Sequence, residues 1–94
     1  MSGMFFGASA FNEPIASWDT STASDMGNMF YNAYAFNQPI GSWNTSNVIN
    51  MNTMFAGARS FNRYIGAWNV AQVRDKDNFR WDSALSTANA PPGF

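Results

Sequence analysis

The sequence predicts an α/β repeat solenoid: right-handed strand–helix coils, three 25-residue units over residues 1–75, then a divergent C-terminal capping segment over 76–94. Three observations predict it. Residues 1–25, 26–50 and 51–75 align without a gap, and eight of the 25 positions are identical in all three. In the middle unit these are Met26, Met29, Phe30, Ala33, Phe36, Asn37, Ile40 and Trp43, seven of them apolar. A period of this length marks units that bury their apolar faces only against their neighbours. Second, Met26, Met29, Phe30 and Ala33 repeat the i, i+3, i+4, i+7 stripe of an amphipathic helix. Third, each unit carries a short alternating run around Ala23, Val48 or Val73, the pattern of a brief strand with one inward side chain.

Taken in order, each unit reads as strand, helix and loop. Asp25, Asn50 and Asp75 stand just before the helical stripe as N-caps. In the middle unit the helix should stop near Asn37, because Gln38 precedes Pro39. The following "PIGSWNTSN" is a turn anchored inward by Ile40 and Trp43. Strands pair about 4.8 Å apart whereas helices pack about 8–10 Å apart, so such a stack should curve with its strands on the concave side. The period also lies in the range of leucine-rich repeats, with Met, Phe, Ile and Trp in the place of leucine. The segment "KDNFRWDSALSTANAPPGF" departs from the pattern. Phe79, Trp81, Ala84 and Leu85 could cover the last unit, and Pro91-Pro92 prevent continuation.

Composition limits function. Charged residues make up 12% of the chain, polarity coming from Asn, Ser and Thr, and the net charge is −1. Residues 1–47 hold Glu13, Asp19 and Asp25 with no basic residue, while all five basic residues lie in 48–94. No basic face suits nucleic acid, and no apolar run suits insertion into a membrane. With no Cys or His, disulfides, thiolate metal sites and the commonest general base are excluded. The carboxylates are scattered, so neither catalytic nor metal residues are assigned, no cofactor is expected, and the chain is read as a non-enzyme.

Several motifs invite sharper readings. The column Asn12, Asn37, Asn62 is read as a buried structural ladder that bonds backbone groups of adjacent loops, rather than as ligand contacts. The Trp and Met columns are read as core. "DTSTASD", Asp19 to Asp25, lacks the central Gly and bidentate Glu of an EF-hand loop. Asn44-Thr45-Ser46 is a formal glycosylation sequon. A flat ice-binding face of Thr, Ser and Asn is spoiled in the third unit by Val70, Ala71 and Gln72.

The stretch "MFYNAYAFNQPIGSWNTSNVINM" and its two counterparts resemble the repeat of BspA-like surface proteins. These are leucine-rich-repeat relatives first catalogued as a domain of unknown function in mycoplasma surface lipoproteins. Arg63-Tyr64 and Val70-Ala71 depart from that pattern in the third unit. The resemblance implies an extracellular or cell-surface setting and adhesion-like binding of a protein or glycan. The alternative is a structural spacer or self-assembling segment of a longer array. If a partner binds, the outward strand positions Thr22, Ser24, Asn47, Ile49, Gln72 and Arg74 are expected to carry it, with Ile49 as the apolar anchor. Met1, Met4, Phe5, Phe11 and Trp18 of the first unit lack a neighbour on one side, which suggests a homodimer joining two N-terminal faces.

Overall fold

Apolar residues at i, i+3, i+4 and i+7 must reach one side of the chain, but a helix is only one way to place them. A computed structural model, describing all of residues 1–94, places them with consecutive tight turns instead. No residue is helical, and β pairing is limited to parallel bridges of Asp25 with Asn50 and of Asn50 with Asp75. The expected α/β strand–helix solenoid of the leucine-rich-repeat type is therefore overturned. So is the curvature argument, which needed a helical layer.

The reason lies in two positions of each unit. Gly3, Asn28, Thr53 and Asn78 have φ between 51° and 64°, and Gly7, Asn32, Gly57 and Asp82 have φ between 56° and 71°. A left-handed residue every fourth position ends each turn before a helix can propagate. The backbone N–H groups then divide between two uses. In the second coil, residues 26–50, Met29 N–H donates to Met26 O (3.3 Å) and Tyr31 N–H to Asn28 O (3.2 Å). The alternate N–H groups of Met26, Asn28, Phe30 and Asn32 donate onward to Asn50, Asn52, Met54 and Ala56, each at 2.9 Å. Asp25, Asn50 and Asp75 do cap, but they cap turns. Their Oδ1 atoms accept from Gly27 N–H (2.8 Å), Asn52 N–H (2.9 Å) and Asp77 N–H (3.1 Å), two residues on.

Coil 1 (residues 1–25), coil 2 (26–50), coil 3 (51–75) and coil 4 (76–94) lie on one another in a body of 30 × 25 × 20 Å. Their aromatic side chains stack in columns. Phe5, Phe30 and Phe55 are 5.4 and 5.3 Å apart, Phe11, Phe36 and Phe61 are 5.8 and 5.7 Å apart, and Trp43 lies 6.4 Å from Trp68. All of Met29, Phe30, Ala33, Phe36, Ile40, Trp43 and Val48 are buried. The polar ends of this core are satisfied between coils. Trp43 and Trp68 Nε1–H donate to Ile15 O and Ile40 O (both 3.0 Å), and buried Thr20 and Thr45 donate to Asn44 O and Asn69 O (both 2.9 Å).

Coil 4 keeps the turn register and changes the filling. Arg80 stands where coils 1–3 have Phe5, Phe30 and Phe55. Its guanidinium donates to Phe94 O (3.2 Å), Leu85 O (3.3 Å) and Thr87 Oγ1 (2.9 Å) and so ties down the tail, while Phe79 takes its place against Phe55, edge-on at 5.4 Å. Phe94 lies edge-on to Phe79 at 5.2 Å, under the ammonium of Lys76.

Candidate interaction surface

The outward residues lie just before the isolated parallel bridges of Asp25, Asn50 and Asp75. Ile49 N–H donates to Ser24 O and Arg74 N–H to Ile49 O, both at 2.8 Å. This pairing sets Ser24, Ile49 and Arg74 in one column, Thr22, Asn47 and Gln72 lie on the turns just before it, and all six are exposed. Between them Val48 is buried and Ala23 and Val73 are half-buried. The N–H groups of Val48, Ala23 and Val73 close turns onto Thr45 O (3.0 Å), Thr20 O (3.0 Å) and Val70 O (3.1 Å), so the expected short strand is a turn followed by a single bridge. Successive members of a column lie one strand spacing apart, about 4.8 Å. Ile49 leaves 47% of its surface in solvent amid hydroxyls and amides. Asn47 is held in place by its Nδ2–H bond to Ser21 O (2.7 Å). Beside the column, Asn50 Nδ2–H donates to Asp25 Oδ1 (3.1 Å), so this edge of the face is a bonded amide–carboxylate pair.

The asparagine ladder bonds as expected and is placed differently. Asn12 Oδ1 accepts from Asn37 N–H (2.8 Å), Asn37 Oδ1 from Asn62 N–H (3.1 Å), and Asn62 Oδ1 from Ser86 N–H (3.0 Å). Yet Asn12 and Asn62 are exposed and Asn37 is only half-buried, so the expectation of a buried ladder is corrected. The loop that follows the turns runs along the surface, and backbone there is satisfied at the rim rather than in the core. The "DTSTASD" stretch uses its carboxylates locally. Asp19 Oδ1 accepts from the Ser21 hydroxyl (2.6 Å) and N–H (3.0 Å), and both bonds hold the Asp19 carboxyl below its ordinary value. No cluster of acidic, His or Cys residues is grouped as for a metal.

Two further features lie at the ends of the stack, the first of which the sequence does not predict. A shallow concavity of about 300 Å³ lies at the coil 4 end, lined by Lys76, Asn78, Phe79, Arg80, Trp81 and Phe94. The recurrence of Gly, Asn or Asp at the left-handed positions was the available signal for the turns that shape this end. The second feature is the opposite end. Met4 and Trp18 are exposed, and Met1, Phe5 and Phe11 are half-buried against coil 2, so the residues assigned to self-association do form one apolar face.

This chain of stacked turns matches over residues 1–90 a family described as "Mycoplasma protein of unknown function, DUF285". The chain belongs to this family. Comparison with curated proteins and with solved structures gives no match. No helix here is long and apolar enough to cross a membrane.

Proposed function

We propose that this member of the family is a non-catalytic interaction module of the cell surface or extracellular space. It recognises a protein or glycan through Thr22, Ser24, Asn47, Ile49, Gln72 and Arg74. One observation carries the reading: all six positions are exposed, Ser24, Ile49 and Arg74 in one column beside the coil-to-coil bridges and Thr22, Asn47 and Gln72 on the turns before them. They also change from coil to coil, Ser24 to Ile49 to Arg74, while Met26 and Met51 beside them stay the same. Hydroxyls and amides suit hydrogen bonding to sugar or peptide, and an exposed isoleucine adds an apolar anchor. The resemblance to BspA-like surface proteins supports the setting. The lack of His and Cys, with carboxylates dispersed, supports a binding role over a catalytic one.

The test is to apply the chain to immobilised glycans and to purified host-surface proteins, then repeat with Ile49→Ser/Arg74→Ala. The double variant should lose at least about tenfold in affinity, about 1.4 kcal/mol, with an unchanged melting curve. Equal binding by both forms would move the site off this face.

A further inference from the structure

The hydrogen bonds that join the coils all run one way at their principal rows. Gly3, Phe5 and Gly7 N–H of coil 1 donate to Gly27, Met29 and Tyr31 O of coil 2, at 3.0, 2.9 and 2.7 Å. Thr53, Phe55 and Gly57 N–H of coil 3 donate to Asp77, Phe79 and Trp81 O of coil 4, at 2.9, 2.9 and 2.8 Å. In these turn rows the donors face the higher-numbered coil, whereas the row of Ser24, Ile49 and Arg74 runs the other way. At the two ends the consequence is a pair of unlike edges. The carbonyls of Ser2, Met4 and Phe6 accept no hydrogen bond, and the N–H groups of Lys76, Asn78, Arg80 and Asp82 donate none. Along the turn rows one end offers carbonyls and the other N–H groups in the same register, and the reversed row adds free Ser24 and Asp25 N–H groups at the first end and a free Arg74 carbonyl at the other. An ordinary strand edge alternates the two.

We propose that copies of this chain associate head-to-tail, coil 4 of one on coil 1 of the next, continuing these rows across the interface. Asn78, Arg80 and Asp82 N–H would meet Ser2, Met4 and Phe6 carbonyls, as Thr53, Phe55 and Gly57 meet Asp77, Phe79 and Trp81 within the chain. Charge helps only at longer range: coil 1 bears −3 from Glu13, Asp19 and Asp25, coil 4 balances Lys76 and Arg80 against Asp77 and Asp82, and the net +2 lies on coil 3, from Arg59, Arg63 and Arg74 against Asp75. Aligned peptide dipoles add to it, since their N–H ends emerge at coil 4 and their C=O ends at coil 1. Apolar surface agrees as well. Phe6 (57% exposed) and Trp81 (64% exposed) hold the same position in their coils, so the stack of Phe6 on Tyr31 (5.0 Å) would extend to a neighbour's Trp81. Met4 holds the position of Phe79 and would enter the concavity that Phe79 and Phe94 line. A two-fold pairing of N-terminal faces, the arrangement suggested by apolar residues alone, sets carbonyl against carbonyl and −3 against −3. Joining unlike ends is a heterologous contact, which builds open chains unless the rotation per copy closes a ring.

Because the chain has no Cys, cross-linking reads the interface cleanly. Ser2 and Asp77 share a position and are both exposed, and stacked backbones about 4.8 Å apart fall within disulfide reach. Ser2→Cys and Asp77→Cys proteins, mixed and oxidised at about 100 μM, should give at least about tenfold more dimer than either alone. A single chain carrying both should give a ladder of oligomers. Phe6→Cys with Trp81→Cys repeats the test at a second position, should the first pair disturb the fold. Cross-linking by Ser2→Cys alone, equal to the mixture, would establish the two-fold alternative and overturn the proposal. So would light scattering showing the wild-type mass unchanged to about 500 μM with no mixed cross-link from either pair.

Discussion

Coil 1 and coil 2 are spelled almost alike and live in different solvents. Met4 is 50% exposed and Met29 fully buried, and Trp18 is 38% exposed against 4% for Trp43. Phe5 and Phe11 are half-buried where Phe30 and Phe36 are sealed. The difference is the preceding coil, which coil 2 has and coil 1 lacks in this chain. Burial in a stacked architecture is thus a property of neighbours, not of the unit, and the same residue should carry different energy in different coils.

The largest test of that statement is a matched pair of truncations. Phe36 is clasped between Phe11 and Phe61, so Phe36→Ala should cost about 3–5 kcal/mol. Phe11 has only Phe5 and Phe36 against its ring, and Phe11→Ala should cost about 1–2 kcal/mol because one side already meets water. Urea unfolding of the two variants measures the gap. Equal costs would mean that coil 1 is covered in solution.

Backbone approach gives a second contrast. A Cβ at Gly41 would sit 2.5 Å from Tyr64 O, a backbone atom that cannot swing aside. Gly41→Ala should cost about 1–3 kcal/mol. Coil 1 already has alanine at the equivalent, exposed Ala16, and Ala16→Gly should shift stability by less than about 1 kcal/mol. Thermal melts of both decide whether the tight contact belongs to the inner coils alone.

What could be read from the letters and what could not follows from these same positions. The inward residues were legible because apolar side chains recur in register, and Met26, Met29, Phe30 and Ala33 do share one side. The conformation that puts them there was not. A chain turning about every three to four residues yields the i, i+3, i+4, i+7 pattern whether its turns join into a helix or remain separate. The discriminating information sat at Gly3, Gly7, Asn28 and Asn32, residue types that tolerate positive φ. The outward positions could be found by alternation around Val48. The opposite polarity of the two ends could not, because no side chain records which way a peptide N–H points.

Thr53 tests the importance of those left-handed positions. It is β-branched at φ 51°, where coils 1, 2 and 4 have Gly3, Asn28 and Asn78. Such a residue is strained there, although its hydroxyl bonds Asn28 Oδ1 and Asn52 O. Thr53→Asn should stabilise by roughly 0.5–1 kcal/mol. A loss of stability instead would mean that the hydroxyl bonds outweigh the backbone strain.

The smallest effect separates coil 1 from coils 2 and 3 by charge. Asp19, Asn44 and Asn69 form the same turn, accepting from Ser21, Ser46 and Ala71 N–H at 3.0 Å each, but only Asp19 can titrate. The Ser21 hydroxyl, and then its N–H, hold the Asp19 carboxyl below its usual 3.8. A carboxyl depressed in the folded state stabilises above its unfolded pKa, and that contribution is lost as pH falls through the folded value. Asp19→Asn keeps the acceptor and removes the charge. The melting temperature of wild type minus that of Asp19→Asn should therefore be constant above about pH 5 and decline on acidification below about pH 4. The two proteins differ in this one titratable group, so the difference reports Asp19. Full exposure and added salt should keep the change small. A difference flat from about pH 6 to about pH 2 would show that the Ser21 bonds do not distinguish the charged carboxylate from its neutral form.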